Sequence, residues 1–302
     1  MMATCAANPI PSIRQHTVQQ SAPLHTARHR RRSDVLAVHP ADADTGVRFF
    51  CNGTMSEAMS IIPAHWDAVT DTNGGIALGN LYGITLRGTI PLLAALRVAG
   101  IDNAIVEVHG SRIPAEISDF DFYFDVLSDV GVRAQDQERH LLRVTETVEV
   151  RDNIGFLKLT PSTGFRACAN MTTMLPDGNS DEACATLACN FNEPSAGFSL
   201  FPDELHDGQV VEVDATRALQ PLREIRALPE PLRATLIEMI GHLALVGAPV
   251  AANVYGQSAG PRHYQALLHA VMERRALTRT TVDAHRAQHG TAAHTVADAA
   301  KK

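Results

Sequence analysis

The sequence has few cysteines, no long apolar run and no excess of basic residues. Its five cysteines are odd in number and show no paired CxxC spacing, which excludes a disulfide framework and a structural zinc motif. No apolar run approaches the ~20 residues of a membrane-spanning helix. The net charge of -7 argues against general nucleic-acid binding, because Lys and Arg must neutralise the phosphates. We therefore predict a cytoplasmic protein with reduced thiols, no membrane span and no nucleic-acid partner.

The composition is that of a globular chain with room for two domains. Hydrophobic residues make up 45% of the 302 residues and charged residues 20%. Apolar periodicity is weak at both ends, so we predict a disordered N-terminus over residues 1–16 and a disordered tail over 276–302. Between them we predict an N-terminal α+β domain over 17–141 and a C-terminal α+β domain over 142–275.

One stretch, Ile84 to Val108, predicts a helix that leads into a buried strand. Its leucines recur at helical spacing, and Gly100 is a natural helix stop. Pro91 is placed in the first turn, where a helix tolerates proline. The β-branched run from Ala104 to Val108 is typical of a short strand. Further helices are predicted from Asp119 to Val130, from about Pro231 to Gly247 and from Arg262 to Arg274.

This helix–glycine–strand pattern occurs twice in the chain. Leu96 to Gly100, followed by a strand at Ala104, matches Leu243 to Gly247, followed by a strand at Ala251. The repeat predicts a duplicated two-domain, two-layer α+β sandwich, with helices packed on sheets and a cleft between the domains. Convergence on a common helix–strand pattern explains this short match equally well.

Three stretches resemble the zinc-dependent UDP-3-O-acyl-N-acetylglucosamine deacetylases of lipid A synthesis. The first is Leu24-His25-Thr26 with the segment Ala43 to Val47. The second is Leu92 to Pro114, which contains GIDN. The third is Gly241 to Val271, which matches the last helix–strand–helix of that family. The resemblance implies the fold of the family, with two similar α+β domains and an active site between them.

The same resemblance implies that the catalytic groups of the family are missing. A Thr-Val-Glu-His motif supplies the general base and one zinc ligand in the family, and here the Glu and His positions hold Ile90 and Pro91. A His-Lys-x-x-Asp motif supplies the other two ligands, and those positions hold Ala234 and Glu238. The carboxylate that pairs with the catalytic His becomes His242, and the catalytic His becomes Pro261. Of the three ligand positions, only Glu238 keeps a metal-binding side chain, so we predict no zinc and no other cofactor.

Three hypotheses follow from this pattern. The first is a non-catalytic or repurposed homologue that binds a small molecule, an acyl-bearing ligand or a protein partner in a bacterial biosynthetic pathway. The second is an active enzyme with a relocated site of Glu238, His242 and His263, joined by His25, acting on a different substrate. Alternatively, these four residues are ordinary polar side chains that line a solvent-filled cleft. The third is unchanged lipid A deacetylation, against which the missing groups argue.

Overall fold

The computed structural model describes residues 14–24, 36–52, 57–113, 117–174, 180–189, 198–202, 230–285 and 287–288. Its N-terminal half runs from residue 14 to 138 and its C-terminal half from residue 140 to 281. The N-terminal half contains β1 (Arg14–Val18), β2 (Ala22–Pro23), β3 (Leu36–Pro40), β4 (Val47–Asn52), β5 (Ile61–Pro63), β6 (Val69–Asp71), β7 (Ala77–Gly79), β8 (Thr85–Arg87), α1 (Ile90–Val98), β9 (Ala104–His109), α2 (Ile117–Val130) and β10 (Val132–Glu138). The C-terminal half contains β11 (His140–Val144), β12 (Val148–Arg151), β13 (Phe156–Pro161), β14 (Phe165–Met174), β15 (Ser180–Cys189), β16 (Phe198–Pro202), α3 (Glu230–Ala244), β17 (Val250–Gln257), α4 (Pro261–Glu273) and β18 (Leu277–Thr281).

The two halves share one sheet topology. The strand order is β2-β3-β9-β4-β5 in the first half, and β12-β13-β17-β14-β15 continued by β16 in the second. In each half the central strand, β9 or β17, lies antiparallel to the strand on one side and parallel to the strand on the other. The start of β17 also pairs in parallel with β11. The first strand of each half pairs with the last, β1 with β10 and β11 with β18. The predicted duplicated α+β fold is therefore confirmed.

Helices α1 and α3 occupy equivalent places before the central strands, and each is followed within three residues by a glycine with positive φ. After α1, Gly100 has φ 78°, and the Ile101 N–H donates to the Leu96 carbonyl at 3.0 Å. This is the hydrogen bond of a Schellman cap, which requires a left-handed residue. After α3, Gly247 has φ 88°. Both glycines turn the chain from a helix into the central strand.

The two helices pack against each other where the halves meet. A Cβ atom added to Gly241 of α3 would lie 2.5 Å from the Ile90 carbonyl oxygen and 2.6 Å from Ile90 Cγ2. Only glycine permits this approach. The residues of α1 from Ile90 to Leu96 are buried, and they join one continuous apolar core with residues of both halves.

Several of the predicted boundaries of domains and disordered segments need correction. Strand β1 includes residues 14–16, which were predicted to be disordered, and β18 lies within the tail predicted to be disordered from 276. The predicted boundary between residues 141 and 142 falls inside β11. These errors share a cause, because β1, β11 and β18 are held by backbone pairing that apolar periodicity does not reveal. The sequence also predicts a strand from Gln209 to Val213, and this segment lies outside the described residues. No described helix is long and apolar enough to cross a membrane.

Candidate functional site

One face of α3 carries the retained polar residues of the expected catalytic centre. Ala234, Glu238 and His242 are four residues apart, a spacing that aligns side chains along a helix. Glu238 is partly exposed, with 44% of its side chain accessible, whereas His242 is 1% exposed. This face therefore places a carboxylate at the surface above a buried imidazole.

The imidazole of His242 is held from two sides. Its Nδ1 lies 2.7 Å from the Glu238 carbonyl oxygen and 3.2 Å from Glu238 Oε2. Its ring stacks on Tyr264 of α4, with centroids 4.2 Å apart and planes 10° apart. A carbonyl only accepts hydrogen bonds, so Nδ1 carries the proton. The buried His242 Nε2 and Tyr264 hydroxyl have no hydrogen-bond partner among the described residues.

Burial shifts the pKa values of this pair in opposite directions. It raises the pKa of Glu238 to about 7 and lowers the pKa of His242 to about 4, although the Glu238 carbonyl favours the protonated ring. Desolvation disfavours the charged form of either group. Almost half of the Glu238 side chain is in contact with solvent, which screens its interactions with other charged groups. Near neutral pH the pair holds a neutral imidazole beside a carboxyl group able to gain or lose a proton.

The facing end of α1 has no chemically active side chain. Ile90 and Pro91 are buried at its first turn, and the Ile90 carbonyl lies against Gly241. Thr89, at the N-cap position, makes no side-chain capping hydrogen bond. Neither an isoleucine nor a proline side chain transfers a proton or binds a metal. The N-terminal half therefore contributes packing against α3, but no side chain that could bind a metal or transfer a proton.

His263 has a separate structural role. Its Nδ1 accepts a hydrogen bond from the Gly260 N–H at 3.1 Å, which caps α4 one residue before Pro261. Its Nε2 lies 3.0 Å from Asp152 Oδ1, close enough for an ion pair, although the contact lacks regular hydrogen-bond geometry. The N–H groups of Ile154 and Gly155, followed by His263, lower the pKa of Asp152 to about 2. His263 thus fastens α4 to the turn between β12 and β13.

The structure therefore assembles only part of the relocated site. Glu238 and His242 are in contact, whereas both ring nitrogens of His263 have partners elsewhere. His25 lies outside the described residues. Tyr264 and Asp152 were missed by sequence reasoning, because no local pattern links either residue to the histidine that it contacts.

Comparisons with known proteins show the family of the chain. The family model described as UDP-3-O-acyl N-acetylglycosamine deacetylase matches residues 13–187. The chain belongs to this family. It is 30% identical over 288 residues to the UDP-3-O-acyl-N-acetylglucosamine deacetylase of Phenylobacterium zucineum, covering 86% of this chain and 94% of the relative. The Neisseria meningitidis serogroup C (strain FAM18) protein of that name is 26% identical over 272 residues, covering 81% of this chain and 85% of the relative.

The residues present do not fit the zinc centre expected of a deacetylase in this family. A catalytic zinc needs three protein ligands and an open position for water. The three positions assigned by the resemblance hold Pro91, Ala234 and Glu238, which together offer one carboxylate. Within the described part of the chain, no group of three or more His, Cys, Asp or Glu residues is arranged to hold a metal ion. His242 cannot replace a ligand without movement, because Nδ1 is engaged and the ring is buried.

Proposed function

We propose that this deacetylase homologue is non-catalytic, and that its family scaffold serves a binding role. The observation that carries the proposal is the pair Pro91 and Ala234, which stand where two zinc ligands are expected. Without zinc, the attacking water keeps a pKa near 15.7 rather than about 7. The proposal therefore includes that the chain does not bind the zinc ion expected of the family.

The other catalytic roles are also unfilled. Ile90 stands at the position of the general base, and Pro261 at the position of the histidine that protonates the leaving amine. Ile90 is buried against Gly241, so a water molecule cannot readily take the place of the missing carboxylate. Base, acid and metal act as a unit in such a mechanism, and the loss of all three removes the reaction rather than slowing it.

The proposed binding role favours an uncharged or acyl-bearing small molecule. Ile90, Pro91 and Ala234 give this region an apolar character, and an uncompensated charge buried there would be unfavourable. A protein partner in a bacterial biosynthetic pathway is the alternative occupant. The cytoplasmic location predicted from the composition stays a prediction.

A metal and activity assay on the full chain tests the proposal. Purified protein is incubated with zinc, desalted and analysed for bound metal, then assayed on UDP-3-O-acyl-N-acetylglucosamine. The Phenylobacterium zucineum relative serves as the comparison protein. We expect neither stoichiometric zinc nor deacetylation. Zinc-dependent turnover that disappears in Glu238→Ala would overturn the proposal.

The Glu238–His242 pair favours a second candidate function, an active enzyme on a different substrate. A partly exposed carboxyl group with a pKa of about 7 has the property of a general acid or base. The test is a screen of ester and amide substrates with the wild-type chain and Glu238→Gln. Turnover that is lost in Glu238→Gln and follows a pKa near 7 supports this function. Equal background rates in both proteins exclude it.

A further inference from the structure

A chain of hydrogen bonds on the outer face of the N-terminal sheet joins a serine to a histidine and a glutamate. Ser21 directly precedes β2, His39 lies on β3 and Glu107 lies on β9, and β3 runs between the other two strands. The neighbouring Val38 and Val106 are fully buried in the apolar core that contains α1. Because side chains alternate along a strand, His39 and Glu107 lie on the opposite face. This face is turned away from the degenerate centre.

The hydrogen bonds fix the direction in which protons are donated. His39 Nε2 lies 3.2 Å from Glu107 Oε2, and His39 Nδ1 lies 2.9 Å from Ser21 Oγ. A carboxylate only accepts hydrogen bonds, so Nε2 donates to Glu107 and the neutral ring keeps a lone pair on Nδ1. The Ser21 O–H therefore donates to His39 Nδ1. A base is in place to take the proton of this hydroxyl.

A second histidine holds the glutamate. His109 Nε2 lies 3.1 Å from Glu107 Oε1, so each carboxylate oxygen has an imidazole partner and Oε2 stays directed at His39. A hydroxyl nucleophile, a histidine base and an orienting carboxylate form a catalytic triad, which is recognised by geometry and not by chain order. Here Nδ1 takes the place that Nε2 has in the serine proteases. Side-chain exposures of 34% for His39 and 27% for Glu107 leave the base accessible to a reactant.

The surroundings of this network favour an uncharged acyl donor. With neutral imidazoles, Glu107 gives the network a negative charge, which repels an anionic phosphoryl donor. Two apolar side chains flank the network on the same face. Ile105, 37% exposed, is the strand neighbour of His39, and Phe50 is the strand neighbour of Glu107. An activated acyl ester matches this surface with an electrophilic carbonyl carbon and an apolar chain.

We propose that Ser21 is an acyl-accepting nucleophile, with His39 as its base and Glu107 as the residue that positions the base. Ser21 Oγ forms a bond to the carbonyl carbon of an activated ester while His39 Nδ1 takes the hydroxyl proton. The bond from that carbon to the leaving oxygen then breaks, and His39 returns the proton to the departing alcohol. The product is an ester of Ser21. This reaction uses no residue of the degenerate centre and is independent of the function proposed for it.

Two probes test the proposal on the full chain. An alkyl fluorophosphonate labels an activated serine irreversibly, because the serine oxygen bonds to phosphorus and fluoride leaves. Proteolysis and peptide masses locate this label. p-Nitrophenyl acetate reports acyl transfer itself through release of p-nitrophenolate. We expect the label on Ser21 and an initial rate of release that depends on Ser21.

Variants of the nucleophile and the base give the expected size of the effect. Ser21→Ala should abolish labelling of this segment. General-base assistance is typically worth about 10²–10⁴-fold, so His39→Gln should slow labelling of Ser21 at least about tenfold. Two controls should react as the wild type does. Ser111→Ala removes another exposed serine, and His65→Gln removes another partly exposed histidine, which lies 2.5 Å from the carboxylate of Asp67.

The positioning role of Glu107 has its own readout. Glu107→Gln should slow labelling of Ser21 with little change in melting temperature, and Glu107→Asp should recover part of the rate because it keeps a carboxylate. A merely structural role would lower the melting temperature and leave the labelling rate of the folded protein unchanged. Labelling of Ser21 no faster than that of Ser111, or equal labelling of the wild type and His39→Gln, overturns the proposal.

Discussion

The two halves have the same strand order but opposite chemistry where they meet. In the N-terminal half, α1 presents the buried Ile90 and Pro91 to the interface. In the C-terminal half, α3 presents the titratable pair Glu238 and His242, of which His242 is buried and Glu238 is partly exposed. Packing is close on both sides, with Gly241 against the Ile90 carbonyl. The shared topology depends on strand pairing and core packing, so it accommodates an apolar contact face in one half and a titratable pair in the other.

The largest expected effect comes from restoring ligands in both halves at once. Pro91→His with Ala234→His, in the presence of Glu238, supplies three zinc ligands, so bound zinc should rise from trace to about one per chain. Pro91→His alone should leave bound zinc at trace level, because two ligands bind weakly. Metal analysis after desalting measures both. The double variant should still show no deacetylation, since Ile90 and Pro261 supply neither base nor acid. If it binds no zinc, α1 and α3 do not hold these positions at metal-binding distance.

The contact between the halves is tested by Gly241→Ala. Alanine favours a helix over glycine by up to about 1 kcal/mol, but its Cβ would lie 2.5 Å from the Ile90 carbonyl oxygen. We expect the clash to dominate and to reduce the free energy of unfolding by about 3 kcal/mol. Gly260→Ala is the control, because an added Cβ there meets nothing within 4 Å. Urea denaturation measures both, and a stabilised Gly241→Ala protein would contradict the packing described.

The titratable pair of α3 predicts a pH dependence with two opposing parts. The pKa of His242 is lowered from 6.5 to about 4, so its stabilising contribution is present above pH 6.5 and is lost as pH falls toward 4. The size is about 3 kcal/mol. The pKa of Glu238 is raised from 4.5 to about 7, so its contribution is present below pH 4.5 and is lost as pH rises toward 7. Solvent exposure reduces this second effect to about 1–2 kcal/mol.

Single variants separate these two contributions. In Glu238→Gln, His242 is the only member of the pair that titrates, and its contribution should make stability rise with pH between 4 and 6.5. In His242→Phe, which keeps a ring on Tyr264, stability should fall between pH 4.5 and 7. The wild type should change less than either variant between pH 4.5 and 6.5, where the slopes oppose each other. Unfolding by urea at a series of pH values measures the slopes, and parallel curves for all three proteins would contradict the assigned environments.

The smallest expected effect compares the helix ends of the two halves. Gly100→Ala and Gly247→Ala each place a side chain at positive φ, 78° and 88° in turn. Each should cost about 1–2 kcal/mol, because a left-handed conformation is unfavourable for any residue with a Cβ. Similar losses of stability, measured by thermal unfolding, would show that α1 and α3 are terminated in the same way. A neutral result at one glycine would mean that its turn can relax.

Sequence reasoning was most successful where one residue or a short periodic pattern determines the structure. The helix over Ile90–Val98, its end near Gly100 and the strand that follows were predicted from leucine spacing and a glycine. The site was predicted less well. The i, i+4 spacing brought Glu238 and His242 together, whereas His263 was assigned to the same cluster and instead contacts Asp152. Contacts within one helix follow from spacing, but contacts across elements depend on where those elements pack.

The sequence by itself determined the family scaffold, and the family resemblance predicts that Pro91 and Ala234 stand at two zinc-ligand positions. Neither side chain binds a metal, because the identity of a side chain limits its chemistry whatever its surroundings. Only the tertiary structure decided the state of the remaining polar groups. Stacking on Tyr264 and burial below Glu238 keep the His242 imidazole neutral. The ion pair between Arg139 and Asp102 joins residues that are 37 positions apart in the chain. Burial and charge balance are properties of what surrounds a residue, and those neighbours come together only when the two halves fold and pack.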